Sequence, residues 1–92
     1  MHNPNMCGDC WFLKRVLRTL VKEFKDTVMM ERYILKEALF RRLSWWFRLS
    51  REDSKHVLRL LAQNFDGVVY KNRGLLIPKT YLPGGENVGV GA

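Results

Sequence analysis

Apolar residues recur at helical spacing along three stretches of the chain. In the first stretch, over residues 11–24, they stand three or four positions apart, and lysines and arginines occupy the positions between them. This pattern predicts an amphipathic helix with one apolar side and one basic side. The second stretch predicts a helix over about 31–46, preceded by Asp26 and Thr27 as candidate capping residues. Residues 28–30 fit either a short strand or a loop.

The third stretch, residues 51–64, has the clearest ends. Ser50 precedes it as a candidate N-cap, and Asp53 follows three residues later, where the second member of a capping box is found. The side predicted to face the core carries Ser54, Val57, Leu58, Leu61 and Phe65. Helical geometry places Glu52, Lys55, His56, Arg59 and Gln63 on the opposite side.

A small hairpin is predicted after this helix. Asp66-Gly67 marks the turn that ends the helix, and two short β-prone runs follow at residues 68–70 and 75–77. Between them, Lys71-Asn72-Arg73-Gly74 predicts a hairpin turn with a basic tip. Because proline cannot continue a central strand, Pro78 predicts that the second strand lies at an edge or stops there.

Length and composition indicate one small domain. The chain has 92 residues, of which 47% are hydrophobic, enough for a globular core. We expect an N-terminal arm over residues 1–10, a domain over 11–80 and a flexible glycine-rich tail over 81–92. The sequence contains no apolar run near the roughly 18 residues that span a bilayer. It also shows no signal-peptide pattern, so a cytoplasmic protein without a membrane partner is expected.

The charge balance narrows the choice of partners. Lys and Arg together number 16 against 9 Asp and Glu, which gives a formal net charge of +7. Such an excess is typical of proteins that bind nucleic acid or another anionic surface. The alternative is a basic protein whose charges are scattered and solvated.

Cys7 and Cys10 form a single C-x-x-C pair, with His2 nearby. A zinc site needs four ligands, so these residues would need a further donor or a second chain. A thioredoxin-like site needs a strand before the motif, and the sequence predicts none there. A structural or incidental role is favoured and no cofactor is expected, although zinc binding and a small redox protein stay open. The sequence shows no catalytic motif, so we expect no enzymatic activity.

Trp45, Trp46 and Phe47 stand together between the second and third predicted helices. Three successive aromatic side chains cannot all face one side of a helix, so at least one ring is expected to leave the core. One interpretation is that the rings fill the turn between two helices and cover a small core. The other is that they form a surface for a dimer or another protein.

The order helix, helix, aromatic turn, helix, hairpin resembles the winged helix-turn-helix superfamily, from about Trp11 to Lys79. The segment S-R-E-D-S-K-H-V-L-R-L-L-A-Q-N-F-D-G-V-V-Y-K-N-R-G-L-L-I resembles its recognition helix and wing. Small basic chains of this type resemble compact regulators of archaea and their viruses. The resemblance implies a fold that is mainly α with a small β-hairpin (α+β), in which three helices carry one wing.

In that superfamily the recognition helix lies in the DNA major groove, and the wing contacts the backbone or the minor groove. The resemblance implies a non-enzymatic regulator of transcription that binds double-stranded DNA as a homodimer. The implied DNA-binding residues are Arg51, Lys55, His56, Arg59 and Gln63 in the helix and Lys71, Asn72 and Arg73 in the wing. The candidate interface residues are Trp45, Trp46 and Phe47. An alternative interpretation gives the same fold a protein-binding role through these three aromatic residues.

Overall fold

Within residues 3–82, four α-helices and three short strands follow one another. The computed structural model describes these residues, with side chains from residue 11 onward. The helices are α1 (Asn3–Glu23), α2 (Lys25–Met29), α3 (Lys36–Phe47) and α4 (Arg51–Asn64). The strands are β1 (Ile34–Leu35), β2 (Val69–Lys71) and β3 (Gly74–Leu76), and a 3-10 turn covers Lys79–Tyr81. The fold is therefore mainly helical with a small antiparallel sheet, as the sequence predicts.

The sheet joins segments that are distant in the sequence. Strand β3 lies between β1 and β2, and both pairings are antiparallel. Ile34 pairs with Leu75, so the segment before α3 is bonded to the hairpin that follows α4. Within the hairpin Lys71 pairs with Gly74, which leaves residues 72–73 as the turn.

Gly74 allows β1 to approach β3 closely. Its φ of +146° is a conformation that residues with a side chain rarely adopt. A Cβ at this position would also overlap the backbone carbonyl oxygen of Ile34. The pairing of β1 with the hairpin therefore requires glycine here.

One apolar core holds the helices and the sheet together. The side chains of α4 that were predicted to face the core are indeed buried, namely Ser54, Val57, Leu58 and Leu61. Phe65 is partly buried and packs against the same core. The other elements contribute buried side chains that include Leu13, Val16, Leu20, Val28, Ile34, Leu39, Leu43, Leu75 and Ile77. Because one side of α4 is held in this core, its opposite side must face outward.

The boundaries of α4 agree with the sequence. The helix covers Arg51–Asn64, and the backbone N–H of Asp53 donates to the Ser50 hydroxyl oxygen at 3.1 Å. Strand β2 lies one residue later than the predicted run 68–70, and β3 one residue earlier than the predicted run 75–77, so the turn is shorter than predicted. Pro78 predicted that the second strand either lies at an edge or stops there. Strand β3 does end before Pro78, but it lies in the centre of the sheet.

The segment before α4 differs most from the predictions. The single helix expected over 31–46 is wrong at its start, because β1 occupies Ile34–Leu35 and α3 begins only at Lys36. Pairing with β3 buries Ile34 and leaves Leu35 exposed, the alternation of a strand. A short helix, α2, was missed. Asp26 and Thr27, the candidate caps of the second predicted helix, lie inside α2, and the N-cap of α3 is Leu35, without a side-chain hydrogen bond.

Both ends of the described chain extend the expected domain. Helix α1 begins at Asn3, so most of the arm expected over residues 1–10 is helical. At the other end, Tyr81 packs edge-on against Phe65, with ring centroids 6.2 Å apart, and its hydroxyl donates to the backbone oxygen of Asp66. Burial, and secondly the negative charge of Asp66, raise the pKa of the Tyr81 hydroxyl above its ordinary value. The folded unit thus includes Tyr81, and the rest of the expected tail lies outside the described residues.

The aromatic residues do not form the connection between α3 and α4. They lie in the last turn of α3, and residues 48–50 make the connection. Arg48 ends the helix in the left-handed conformation, with φ 55° and ψ 37°, and its N–H donates to the carbonyl of Ser44 at 2.9 Å. The helix-to-helix turn is therefore short and free of aromatic side chains.

We expect Gly74→Ala to lower the free energy of unfolding by at least about 2 kcal/mol, because it adds backbone strain and a clash with Ile34. Chemical denaturation monitored by circular dichroism measures the change. The matched control is Asn72→Ala in the exposed turn, which should alter stability by less than about 0.5 kcal/mol. Equal stability of Gly74→Ala and the parent would show that β1 does not approach β3 this closely.

Two serines of one helix should respond to alanine with opposite signs. Ser50→Ala removes the cap of α4 and should cost about 1 kcal/mol. The hydroxyl of Ser54 is buried, without a hydrogen-bond partner among the described residues. Ser54→Ala removes an unsatisfied group and should raise stability by about 1 kcal/mol. The same denaturation experiment checks both, and a loss of stability in Ser54→Ala would contradict the unsatisfied hydroxyl.

Candidate nucleic-acid interface

The outward side of α4 presents most of the polar residues predicted for this helix. His56, Arg59 and Gln63 are exposed and Lys55 is half-buried, since the buried stripe occupies the other side. The exposure of this face, which helical geometry predicted, is thereby confirmed. Contact with DNA remains a prediction.

The first two cations of α4, Arg51 and Lys55, each form an ion pair with a glutamate. The Nη2 atom of Arg51 lies 2.9 Å from Oε2 of Glu37 on α3, and the guanidinium lies 4.8 Å from the ring centroid of Phe40. The Nζ atom of Lys55 lies 3.5 Å from Oε2 of Glu52. Both carboxylates are well exposed, so these pairs are weak in water and can open to another anion.

Arg59 is the cation of α4 without an ion-pair partner among the residues that the structure describes. It lies in the middle of the helix, two turns beyond the acidic residues of the first turn. Along the outward side, the negative charges therefore lie in the first turn of α4 and the arginine without a described ion-pair partner lies in the middle of the helix.

The hairpin tip forms the second part of the site. Lys71, Asn72 and Arg73 are all exposed. The guanidinium of Arg73 lies 5.7 Å from the ring centroid of Tyr33, which directly precedes β1. A cation–π contact at an exposed site is worth about 0.5–1 kcal/mol, enough to favour one orientation of the arginine. Tyr33 was not identified from the sequence, since only the pairing of β1 with β3 places it beside Arg73.

The two groups of cations have different partners within residues 11–82. Arg51 and Lys55 pair with Glu37 and Glu52, whereas Arg73 packs on the ring of Tyr33. Each group is positioned separately, α4 by its buried stripe and the hairpin by its pairing with β1. They can serve one ligand only if that ligand spans both.

The three aromatic residues of α3 have different environments. Trp45 is 74% exposed and Trp46 is 50% exposed, which confirms that at least one ring leaves the core. Phe47 is half-buried, and its ring meets that of Phe12 edge-on with centroids 5.6 Å apart. The interpretation that all three rings fill a helix-to-helix turn is therefore wrong.

An open cleft of about 760 Å³ lies beside Trp45. The residues that line it are Arg41, Arg42, Ser44, Trp45 and Arg48. The sequence analysis did not single out these arginines, because they interrupt the apolar pattern in the way that solvated helix residues do. The cleft shows that they share a surface with an exposed indole.

The cysteine motif lies outside the residues whose side chains the structure describes. His2 is outside the described residues, and the side chains of Cys7 and Cys10 are not described. Within residues 11–82, no group of three or more His, Cys, Asp or Glu side chains is arranged to hold a metal ion. The question of zinc at Cys7 and Cys10 therefore stays as the sequence left it.

The helices within residues 3–82 are all too short or too polar to cross a membrane. Comparison of the chain with protein-family models, with curated proteins and with solved structures finds no match.

Proposed function

We propose that this protein binds double-stranded DNA as a winged helix-turn-helix protein. The proposal places α4 in the major groove and the tip of the β2–β3 hairpin on the backbone or in the minor groove. The order of elements supports it: α1, β1, α3, α4, β2 and β3 follow one another, with α2 as a short addition.

The observation that carries the proposal is the way in which α4 is presented. A turn of three residues, 48–50, leads from α3 into a capped helix of 14 residues. At 1.5 Å per residue, such a helix is about 21 Å long, and the major groove, about 12 Å wide, admits it. The buried stripe from Ser54 to Leu61 directs the polar side outward.

The charges of α4 favour base contacts from its middle and not from its start. Glu52 and Asp53 would repel phosphates close to the first turn. Beyond these two acidic residues, Arg59 can donate two hydrogen bonds to a guanine. Gln63 can form a pair of hydrogen bonds with an adenine. Lys55 and His56 lie between these two regions, and Arg51 can reach a phosphate if its contact with Glu37 opens.

The hairpin tip supplies contacts of another kind. Lys71, Asn72 and Arg73 are donors on a tight exposed turn, where phosphate contacts fix position without selecting a sequence. The ring of Tyr33 limits the orientations of Arg73. Because one such unit reads only a few base pairs, we expect a homodimer that acts as a regulator of transcription.

Two arginine variants test the DNA proposal through the salt dependence of binding. If about six phosphates are neutralised, log affinity should fall with log salt concentration at a slope near −5. Arg73→Ala should weaken binding to all duplexes alike and flatten the slope by about one unit. Arg59→Ala should cost about 1–3 kcal/mol on a preferred site and relax the choice of one base. Gel-shift or anisotropy titrations over a salt series measure both effects.

The control is Lys14→Ala, which removes an exposed cation from α1, outside the proposed interface. It should leave the affinity for duplex DNA within about twofold of the parent, the scale expected for a distant charge that is screened by salt. If Arg59→Ala and Arg73→Ala bind duplex DNA like the parent throughout the series, the protein does not use this surface for DNA.

A further inference from the structure

The cleft beside Trp45 is a second cationic surface, with its own composition. Arg41 and Arg48 are exposed, and Arg42 is 42% exposed although its Nη2 atom lies 3.0 Å from Oε2 of Glu23. The residues that line the cleft supply three guanidinium groups, one indole and one hydroxyl, and none supplies a carboxylate. The cleft therefore suits an anion that also offers a flat apolar group.

A second copy of the chain is a poor occupant of this cleft. In a two-fold symmetric contact the same patch meets itself, so arginines would face arginines. Arg41 and Arg48 have no carboxylate partner within residues 11–82, and burying their charges unpaired would cost more than the burial of two indoles contributes. If the protein dimerises, the contact lies elsewhere.

The positions of the two tryptophans help to decide whether the cleft binds an acidic protein or a nucleic acid. Neighbouring residues on a helix point about 100° apart, so Trp45 and Trp46 face different directions. Trp46 lines a separate groove with Arg15, Thr19 and Lys22. Neither the cleft beside Trp45 nor the groove beside Trp46 offers a broad apolar area for a protein partner. An acidic protein would also have to match each arginine with a carboxylate while excluding water.

A single nucleic-acid strand meets these conditions more simply. Guanidinium groups bind phosphates by two parallel hydrogen bonds and are weakly hydrated, so the arginines need not be buried. An indole that is largely exposed accepts a base by stacking, whatever the base. We propose that the cleft formed by Arg41, Arg42, Ser44, Trp45 and Arg48 binds single-stranded nucleic acid, with a base on Trp45 and phosphates on the arginines.

The test uses labelled oligothymidylate and anisotropy titrations with the full chain. Trp45→Ala should weaken binding by between about fivefold and a hundredfold, the range for the loss of one base–aromatic stack. Arg41→Ala should weaken it and flatten the slope of log affinity against log salt by about 0.7, the value for one phosphate of a single strand. The intrinsic tryptophan fluorescence of the parent should be quenched on binding, and less so in Trp45→Phe.

Matched controls distinguish binding in this cleft from nonspecific electrostatic attraction of the strand to a basic protein. Trp11→Ala removes another exposed indole, and Arg32→Ala removes an exposed arginine with the same change in net charge. Both should bind the strand like the parent. Arg59→Ala, which removes a cation of the proposed duplex surface, should weaken binding of the strand less than Arg41→Ala does, so the two proposals fail or succeed separately.

Three results would overturn the proposal. One is parent-like binding of the strand by both Trp45→Ala and Arg41→Ala. Another is an equal loss in these variants and in Arg32→Ala or Arg59→Ala. The third is that a synthetic peptide of glutamate and leucine binds in a way that depends on Trp45 and Arg41 while oligothymidylate does not, which would assign the cleft to an acidic protein.

Discussion

The close pairing of β1 with β3 at Gly74 is the constraint on which the rest of the structure depends. It bonds the segment before α3 to the hairpin after α4, and thus encloses the two helices between its strands. Leu35, at the end of β1, is also the extended residue from which α3 starts, without any side-chain cap. The same pairing places Tyr33 beside Arg73. The direction of the hairpin tip therefore depends on a two-residue strand and one glycine.

Burial of α4 supplies the second constraint, and the two together define the proposed DNA surface. Leu58 and Leu61 are fully buried, so the helix cannot rotate without exposing them. Its first turn carries Glu52 and Asp53, whereas its middle carries Arg59, which has no ion-pair partner within residues 11–82. A ligand that engages both α4 and the hairpin must be long, anionic and able to tolerate the acidic start of the helix. Duplex DNA is long and anionic, and its phosphates follow both sides of a groove.

The sequence predicts what local signals determine and misses what distant contacts determine. Ser50, the apolar stripe of α4 and Asp66-Gly67 lie within or next to the helix, and its boundaries were predicted correctly. Strand β1 and helix α2 have no comparable local signal, because β1 exists only through its pairing with β3. The outward face of α4 and the hairpin tip could be predicted, because local signals determine them. The contact of Arg73 with Tyr33 could not, because it depends on the pairing of distant segments. The cleft beside Trp45 likewise depends on the end of α3 and the turn after it.

Mapping the surface by NMR tests the central claim most directly, since it requires no substitution. Backbone amide signals of the isotope-labelled protein would be followed while duplex DNA is added. The account predicts that the shifted signals cluster at residues 55–63 and 71–74, with little change at residues 41–48. Shifts confined to α1 and the end of α3, with α4 and the hairpin unaffected, would contradict it.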